Sequence, residues 1–190
     1  MEQILFINAC VRPQSRTLSL SQSVLSRLTG QITEIDLCRE PVPFLNQAEL
    51  AHRDEVLARQ EFSDPMLRYA VQFSQADTVV IAAPYWDLMF PALLKAYLEA
   101  VTVCGVTFRY TEDGRPATLC KAKRLIYVTT AGGPIGTFDF GFQYVNALAR
   151  GFYEIPEVHC IAAEGLDILG ADVEAILAEA AAKADAMLTK

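Results

Sequence analysis

The chain contains five short runs of mainly apolar residues, each bounded by polar or turn-forming positions. Four of the runs are nearly continuous, as expected of strands that are buried on both faces of a sheet. The second run alternates between apolar and polar residues and predicts an edge strand, which Pro41 and Pro43 then end. The predicted strands span residues 3–9, 32–37, 77–83, 124–130 and 157–163.

The segments between these strands carry apolar residues at the spacing of amphipathic helices. Pro91 suits the first turn of one of them, where no backbone donor is needed. Strands that alternate with helices predict an α/β fold, a three-layer sandwich with a five-stranded parallel sheet, and we expect one domain over residues 1–190. The predicted helices span 17–28, 91–103, 143–150 and 171–188, with two more over 49–74 and an irregular excursion over 105–118.

Length, charge and composition narrow the classes of function. A chain of 190 residues, 52% hydrophobic and 21% charged, is typical of one globular domain with a sizeable core. No window approaches the ~20 apolar residues of a membrane span, and the first residues lack the basic region of a signal peptide, so we expect a cytoplasmic protein without a membrane partner. A formal net charge of −7 disfavours nucleic acid. Five dispersed cysteines and two histidines argue against a disulfide framework and a metal site.

The predicted topology indicates where a ligand binds. In doubly wound sheets, ligands bind beyond the carboxyl ends of the strands, at the point where the two windings diverge. For a strand order of 2-1-3-4-5, this point lies between the first and third strands. The loops after the first, third and fourth strands are therefore the candidates for a site.

The loop after the first strand, residues 10–17, leads directly into a helix. It lacks the glycine patterns of dinucleotide-binding and nucleotide-triphosphate loops. It supplies the hydroxyls of Ser15 and Thr17, the guanidinium groups of Arg12 and Arg16, and the free amides of a helix start. That set suits a phosphate monoester. An ordinary helix cap explains the hydroxyls as well, and both interpretations stay open.

The other two loops carry large flat side chains and glycines. Residues 84–88 include the only tryptophan and can pack one face of a planar heterocycle, although a hydrophobic staple or a subunit contact is an alternative. Residues 130–133 contain two adjacent glycines that permit close approach of the backbone to a ligand, although an ordinary turn is an alternative. A ligand with a phosphate at one end and a flat ring at the other fits all three loops, and FMN is such a molecule.

Four segments carry a resemblance to a known family. Pro84-Tyr-Trp-Asp-Leu-Met-Phe-Pro91-Ala-Leu-Leu-Lys95-Ala-Tyr97 is similar to a Pro-Met-Tyr-Asn-Phe-x-x-Pro-x-x-Leu-Lys-x-Tyr pattern. The stretch from Gly105 to Gly114 is similar to Gly-x-Thr-Phe-x-Tyr-x-x-x-Gly, residues 130–133 resemble a glycine-pair flavin loop, and residues 163–166 resemble a late signature. Together they resemble the FMN-dependent NADH-azoreductase and NAD(P)H quinone reductase family of the flavodoxin-like superfamily, over nearly the whole chain.

The resemblance implies a flavodoxin-like fold in which residues 15–17 bind the FMN phosphate and residues 85–88 and 130–133 bracket the isoalloxazine. Four positions depart from residues frequent in the family: Cys10, Asp87, Leu88 and Ala131. The resemblance places Asp87, Leu88 and Ala131 at the ring and substrate pocket. It therefore implies the family's fold and cofactor for this chain more firmly than the family's substrates. The predicted cofactor-binding residues are Cys10, Arg12, Ser15, Arg16, Thr17, Pro84, Tyr85, Trp86, Asp87, Leu88, Thr130, Ala131, Gly132 and Gly133.

The implied function is an FMN-dependent NAD(P)H oxidoreductase. NADH or NADPH passes a hydride to flavin N5, and a quinone, azo or nitroaromatic acceptor then takes its place in a ping-pong, two-electron reaction that needs no catalytic side chain. Phe108 and Tyr110 are predicted to reach the substrate pocket across a homodimer interface, with a purely local packing role as the alternative. The alternative function is a flavodoxin-like FMN-binding electron carrier without nicotinamide-dependent activity.

Overall fold

The computed structural model describes residues 1–40 and 42–188 and contains a parallel sheet of five strands in the order β2-β1-β3-β6-β7. The expected α/β class is confirmed. The predicted order 2-1-3-4-5 is wrong as numbered along the chain, because the prediction omitted a separate antiparallel pair, β4 and β5. The strands are β1 (Gln3–Asn8), β2 (Gln31–Asp36), β3 (Thr78–Ala82), β4 (Phe108–Tyr110), β5 (Pro116–Thr118), β6 (Arg124–Thr130) and β7 (Glu157–Ala163).

Within the described residues there are six helices, of which the first five lie between strands and the sixth follows β7. Helix α5 begins three residues before its predicted start because the Asp139 carboxylate accepts a hydrogen bond from the amide of Phe142 at 3.1 Å. Pro91 precedes α4 as its N-cap (φ −56°, ψ 143°) rather than lying within the first turn. The helices are α1 (Arg16–Leu25), α2 (Gln47–Ala58), α3 (Arg68–Gln75), α4 (Ala92–Val101), α5 (Phe140–Gly151) and α6 (Val173–Leu188), with a 3₁₀ turn at Pro65–Leu67.

The two faces of the sheet build two apolar cores. Successive side chains of a strand point to opposite faces. Leu5 and Ile81 therefore lie in the core beneath α3, α4 and α5, whereas Phe6 and Val80 lie in the core beneath α1 and α6. Helices cover both faces, and a ligand approaches the sheet at the ends of its strands. The edge strand β2 is mostly exposed, as its alternating pattern predicts.

The pair β4–β5 lies at the amino end of the sheet. It follows the C-terminus of α4, which runs back from the carboxyl end of β3, and it precedes the first residue of β6. Its turn places Gly114 at a φ of +78°, a backbone conformation that glycine adopts without strain. The hairpin is therefore at the opposite end of the sheet from the three loops selected by the sequence.

Two further expectations concern membrane-spanning helices and the end of the second strand. No helix within residues 1–40 and 42–188 is long and apolar enough to cross a membrane. Pro41, one of the two prolines expected to end the second strand, lies outside the described residues. Strand β2 already ends at Asp36, whose carboxylate accepts a hydrogen bond from the amide of Cys38 at 2.9 Å.

Candidate cofactor site

A cavity of about 230 Å³ lies at the carboxyl end of the sheet, among the loops that follow β1, β3, β6 and β7. It therefore lies where the topology predicts, at the point between β1 and β3 where the windings diverge. Its lining residues are Val11, Arg12, Gln14, Ser15, Arg16, Thr17, Pro84, Tyr85, Trp86, Thr130, Ala131, Gly132 and Asp167. Of the residues predicted from the sequence, Cys10, Asp87, Leu88, Gly133, Phe108 and Tyr110 are not among them.

The start of α1 forms one end of the cavity. Ser15 is its N-cap, and its hydroxyl accepts a hydrogen bond from the amide of Leu18 at 3.3 Å. The amides of Arg16 and Thr17, the first two of the helix, have no acceptor in a preceding turn. The first turn contains no acidic residue. The helix cap and the anion site inferred from the sequence are compatible. The cap uses the amide of Leu18, and the amides of Arg16 and Thr17 remain available for an anion.

The hydroxyl of Thr17 joins two of the loops. It lies 2.6 Å from the hydroxyl of Thr130, and both residues are buried. One of the two oxygens donates the proton to the other, which satisfies both groups away from water. This contact fixes the start of α1 against the end of β6, so the two walls of the cavity are held together before any ligand binds.

A carboxylate that the sequence analysis missed holds Arg16. The Nη2 atom of Arg16 donates to Asp167 Oδ1 at 2.6 Å, and its Nη1 atom donates to the carbonyl of Leu166 at 2.9 Å. Arg12 is exposed and forms no ion pair within the described residues. Asp167 directly follows the late signature at residues 163–166, after β7. Its position at the carboxyl end of a parallel strand is the feature that could have identified it.

The aromatic loop is a tight and strained turn. Trp86 and Met89 exchange two backbone hydrogen bonds of 2.9 and 2.8 Å around Asp87 and Leu88. Both central residues have positive φ, 48° and 67°, as in the type I′ turns that favour asparagine, aspartate and glycine. Leucine is strained in this region. The turn presents the 38% exposed indole of Trp86 to the cavity, while Asp87 and Leu88 lie outside its lining.

The glycine loop is shaped by protein contacts. A Cβ atom on Gly132 would lie 2.2 Å from Asp167 Oδ2, so any larger residue there would force the Asp167 side chain to move. The loop also pairs with the segment after β7, since the amide of Asp167 donates to the carbonyl of Gly132 at 2.9 Å. Gly132 lines the cavity, whereas Gly133 lies outside the lining, and the role expected of both glycines in ligand approach stays a prediction.

Cys10 lies beneath the cavity rather than in its wall. Its thiol is buried against the carbonyl of Ala82, with an S–O distance of 3.8 Å. Burial raises the pKa of this thiol to about 11, so it stays protonated at neutral pH. A protonated, buried thiol offers neither a nucleophile nor a charge to a ligand.

Phe108 and Tyr110 lie at the amino end of the sheet, away from the cavity. Phe108 is buried and packs against Phe152, with the ring centroids 4.8 Å apart. This contact favours the local packing role for Phe108. Tyr110 is 54% exposed. Neither side chain reaches the cavity of its own chain.

Comparisons with known proteins agree with this geometry. Residues 2–188 match the family model Flavodoxin_2, described as a flavodoxin-like fold. The chain is 38% identical over 197 residues to the FMN-dependent NADH:quinone oxidoreductase 2 of Clostridium acetobutylicum, covering 97% of this chain and 96% of the relative. It is 36% identical over 193 residues to the FMN-dependent NADH:quinone oxidoreductase of Lachnoclostridium phytofermentans, with the same coverage.

Solved structures show the same fold. The azoreductase from Bacillus anthracis str. Sterne superposes with a TM-score of 0.82 at 24% identity, covering 97% of both chains. An FMN-dependent NADH-azoreductase from Bacillus anthracis str. Ames Ancestor, solved in complex with FMN, gives a TM-score of 0.80 at 22% identity, covering 98% of this chain and 99% of the other.

Proposed function

The chain belongs to the flavodoxin-like family that includes the FMN-dependent NADH:quinone oxidoreductases, and we propose that it is an FMN-dependent NAD(P)H oxidoreductase that reduces quinones and azo or nitroaromatic compounds. The observation that carries the proposal is the 38% identity over the full length of a relative with that name, together with a cavity at the expected place. We treat residues 1–190 as one FMN-binding domain.

The residues of the cavity fit a cofactor with a phosphate at one end and a flat ring at the other. The two unused amides at the start of α1, the hydroxyl of Ser15 and the guanidinium of Arg12 would hold the phosphate, because helix N-termini and free guanidinium groups favour anions. Trp86 would form the apolar wall for the ring. Ala131 and Gly132 would form the backbone wall.

FMN held in this cavity would supply the two-electron hydride chemistry between NAD(P)H and the acceptor. The chain's own residues bind and orient. Asp167, the one carboxylate among the described residues that line the cavity, forms an ion pair with Arg16 at 2.6 Å. The thiol nearest the site, Cys10, is buried with a raised pKa. This arrangement supports a site without a catalytic side chain.

We propose that the protein is a homodimer. The segments after the carboxyl ends of the strands expose several large apolar side chains, and exposed apolar side chains that cluster on a surface favour an interaction site. Phe108 is buried against Phe152, so of the two aromatic residues only the exposed Tyr110 is available for contact with a second copy. The exposed residues include Phe44, Trp86, Leu88, Phe138, Phe140, Ile168 and Leu169.

Two measurements test the function. The cofactor is released from purified protein by denaturation and identified by chromatography, where FAD or no flavin would contradict the proposal. The FMN-loaded protein is then mixed anaerobically with NADH or NADPH, and rapid bleaching of the flavin absorbance is expected. A flavin that nicotinamides do not reduce would indicate an electron carrier instead. Parallel double-reciprocal plots with a quinone acceptor would support a binding face shared by donor and acceptor.

A further inference from the structure

A second cavity, which we call the flank cavity, lies among α2, the 3₁₀ turn, α3 and α4. Its volume is about 210 Å³, and it shares no lining residue with the cofactor cavity. Its walls are mainly apolar, with contributions from Leu45, Pro65, Met66 and Ala100. The lining also includes Pro43, Tyr69 and two guanidinium groups, those of Arg53 and Arg68.

The two arginines differ in how they are paired. Arg68 donates to the carboxylate of Glu40 at 3.2 Å, and its guanidinium lies 4.3 Å above the ring of Tyr69. Arg53 forms no ion pair within the described residues, and its Nε atom is buried without a hydrogen-bond partner among them. Buried donors are nearly always paired in native proteins, and a charged donor is the most costly to leave unpaired. The flank cavity is therefore lined by a half-buried guanidinium group that has no ion pair among the described residues and whose Nε atom lacks a hydrogen-bond partner there.

We propose that the flank cavity binds a small aromatic carboxylate, with the carboxylate on Arg53 and the ring between the apolar walls. This goes beyond the proposed oxidoreductase activity and does not depend on it. A carboxylate matches the guanidinium fork in shape and charge. A single guanidinium group without an ion pair among the described residues suits one negative charge better than a phosphate dianion. An apolar cavity of about 150 Å³ can hold benzene, so 210 Å³ is enough for a ring with one carboxylate.

The methionines give each cavity its own reporter. The chain has four, at positions 1, 66, 89 and 187, so a spectrum of methyl-labelled methionine contains four assignable signals. Met66 lines the flank cavity, and Met89 closes the strained turn beside the cofactor cavity. We would titrate the purified FMN-loaded protein with benzoate, and with the neutral benzamide of the same shape. Benzoate is expected to shift the Met66 signal in a saturable manner and to leave the Met89 signal in place.

Variants test the role of the charge. Arg53→Gln removes the cation and is expected to weaken the benzoate response about tenfold or more. The matched control is Arg59→Gln at the end of the same helix, where the guanidinium already pairs with Glu61, and it should respond as the unchanged protein does. If Arg53→Gln does not give a native spectrum, Ala100→Leu serves instead, because its added side chain fills the cavity from α4 and should abolish the response.

Several results would overturn the proposal. A Met66 signal that does not move with benzoate means that water alone fills the flank cavity. An equal response to benzamide, or an undiminished response in Arg53→Gln, means that the guanidinium does not recognise an anion. A shift of Met89 without a shift of Met66 would place benzoate in the cofactor cavity.

Discussion

Replacement of Trp86 tests whether the aromatic loop forms a wall of the flavin site. The indole lines the cavity and is 38% exposed. Since a tryptophan has up to ~250 Å² of surface, the exposed part is roughly 95 Å², and covering it fully would contribute ~2.4 kcal/mol at 25 cal/mol per Å². Only one face of the indole can lie against a flat ring, so we expect half of this burial energy, ~1.2 kcal/mol. This corresponds to about an eightfold change in the Kd for FMN.

The binding assay is a titration of apoprotein with FMN. Trp86→Ala should weaken FMN binding by about the eightfold factor, whereas Trp86→Phe should retain most of the affinity because a flat apolar wall remains. The control is Phe62→Ala, which removes a more exposed aromatic side chain that is neither in the cavity lining nor in the surface proposed for the dimer. It should leave FMN affinity unchanged.

Fluorescence provides an independent readout, because Trp86 is the only tryptophan in the chain. Aromatic rings in direct contact have centroids about 4.5–7 Å apart, and a flavin at that distance should quench the indole strongly. The holoprotein should be nearly dark, and removal of FMN should restore the emission. Equal emission with and without FMN, together with unchanged affinity in Trp86→Ala, would refute the assignment of this loop as the ring wall.

Three further predictions concern contacts in the site and the core. In apoprotein, Thr17→Val and Thr130→Val should each lower the free energy of unfolding by about 1–3 kcal/mol, because each leaves one buried hydroxyl unpaired. Urea denaturation should show a smaller loss for the double variant than the sum of the two single losses. Asp167→Asn removes a negative charge from the cavity and should tighten FMN binding, while Asp185→Asn, which breaks a similar ion pair outside the lining, should not. Burial raises the pKa of the Cys120 thiol from 9.0 to about 12, so the folded state favours the protonated thiol. The stabilisation from this protonated thiol is complete below pH 9 and is lost as the pH rises toward 12. Cys120→Ala should flatten that part of a stability–pH profile.

Hydrophobic periodicity was enough to predict the sheet. The five parallel strands lie within one or two residues of their predicted bounds, because buried parallel strands need continuous apolar runs that are visible in the sequence. The pair β4–β5 was missed because each strand has only three residues, too few to show a periodic pattern. That omission alone changed the strand numbering.

The candidate site was predicted in part. Ligands of doubly wound sheets bind beyond the carboxyl ends of the strands, and this rule selected three loops. Each of the three contributes residues to the cavity. The rule did not select the loop after β7, and so Asp167 was missed although it pairs with Arg16 and lies close to Gly132. Pairings of this kind depend on which loops meet in space, and a sequence without an alignment does not carry that information.

The strained turn at Asp87 and Leu88 shows how tertiary contacts override local preference. Leucine at a φ of 67° costs about 1–2 kcal/mol relative to ordinary backbone. Two backbone hydrogen bonds between Trp86 and Met89 close the turn, and the next residue, Phe90, is 95% buried beneath α5. These contacts together hold the turn in place and offset its strain. Strained backbone at functional sites is commonly maintained in this way. The result is that Trp86 is presented to the cavity by a rigid element, which is the arrangement that a flat ligand requires from its wall.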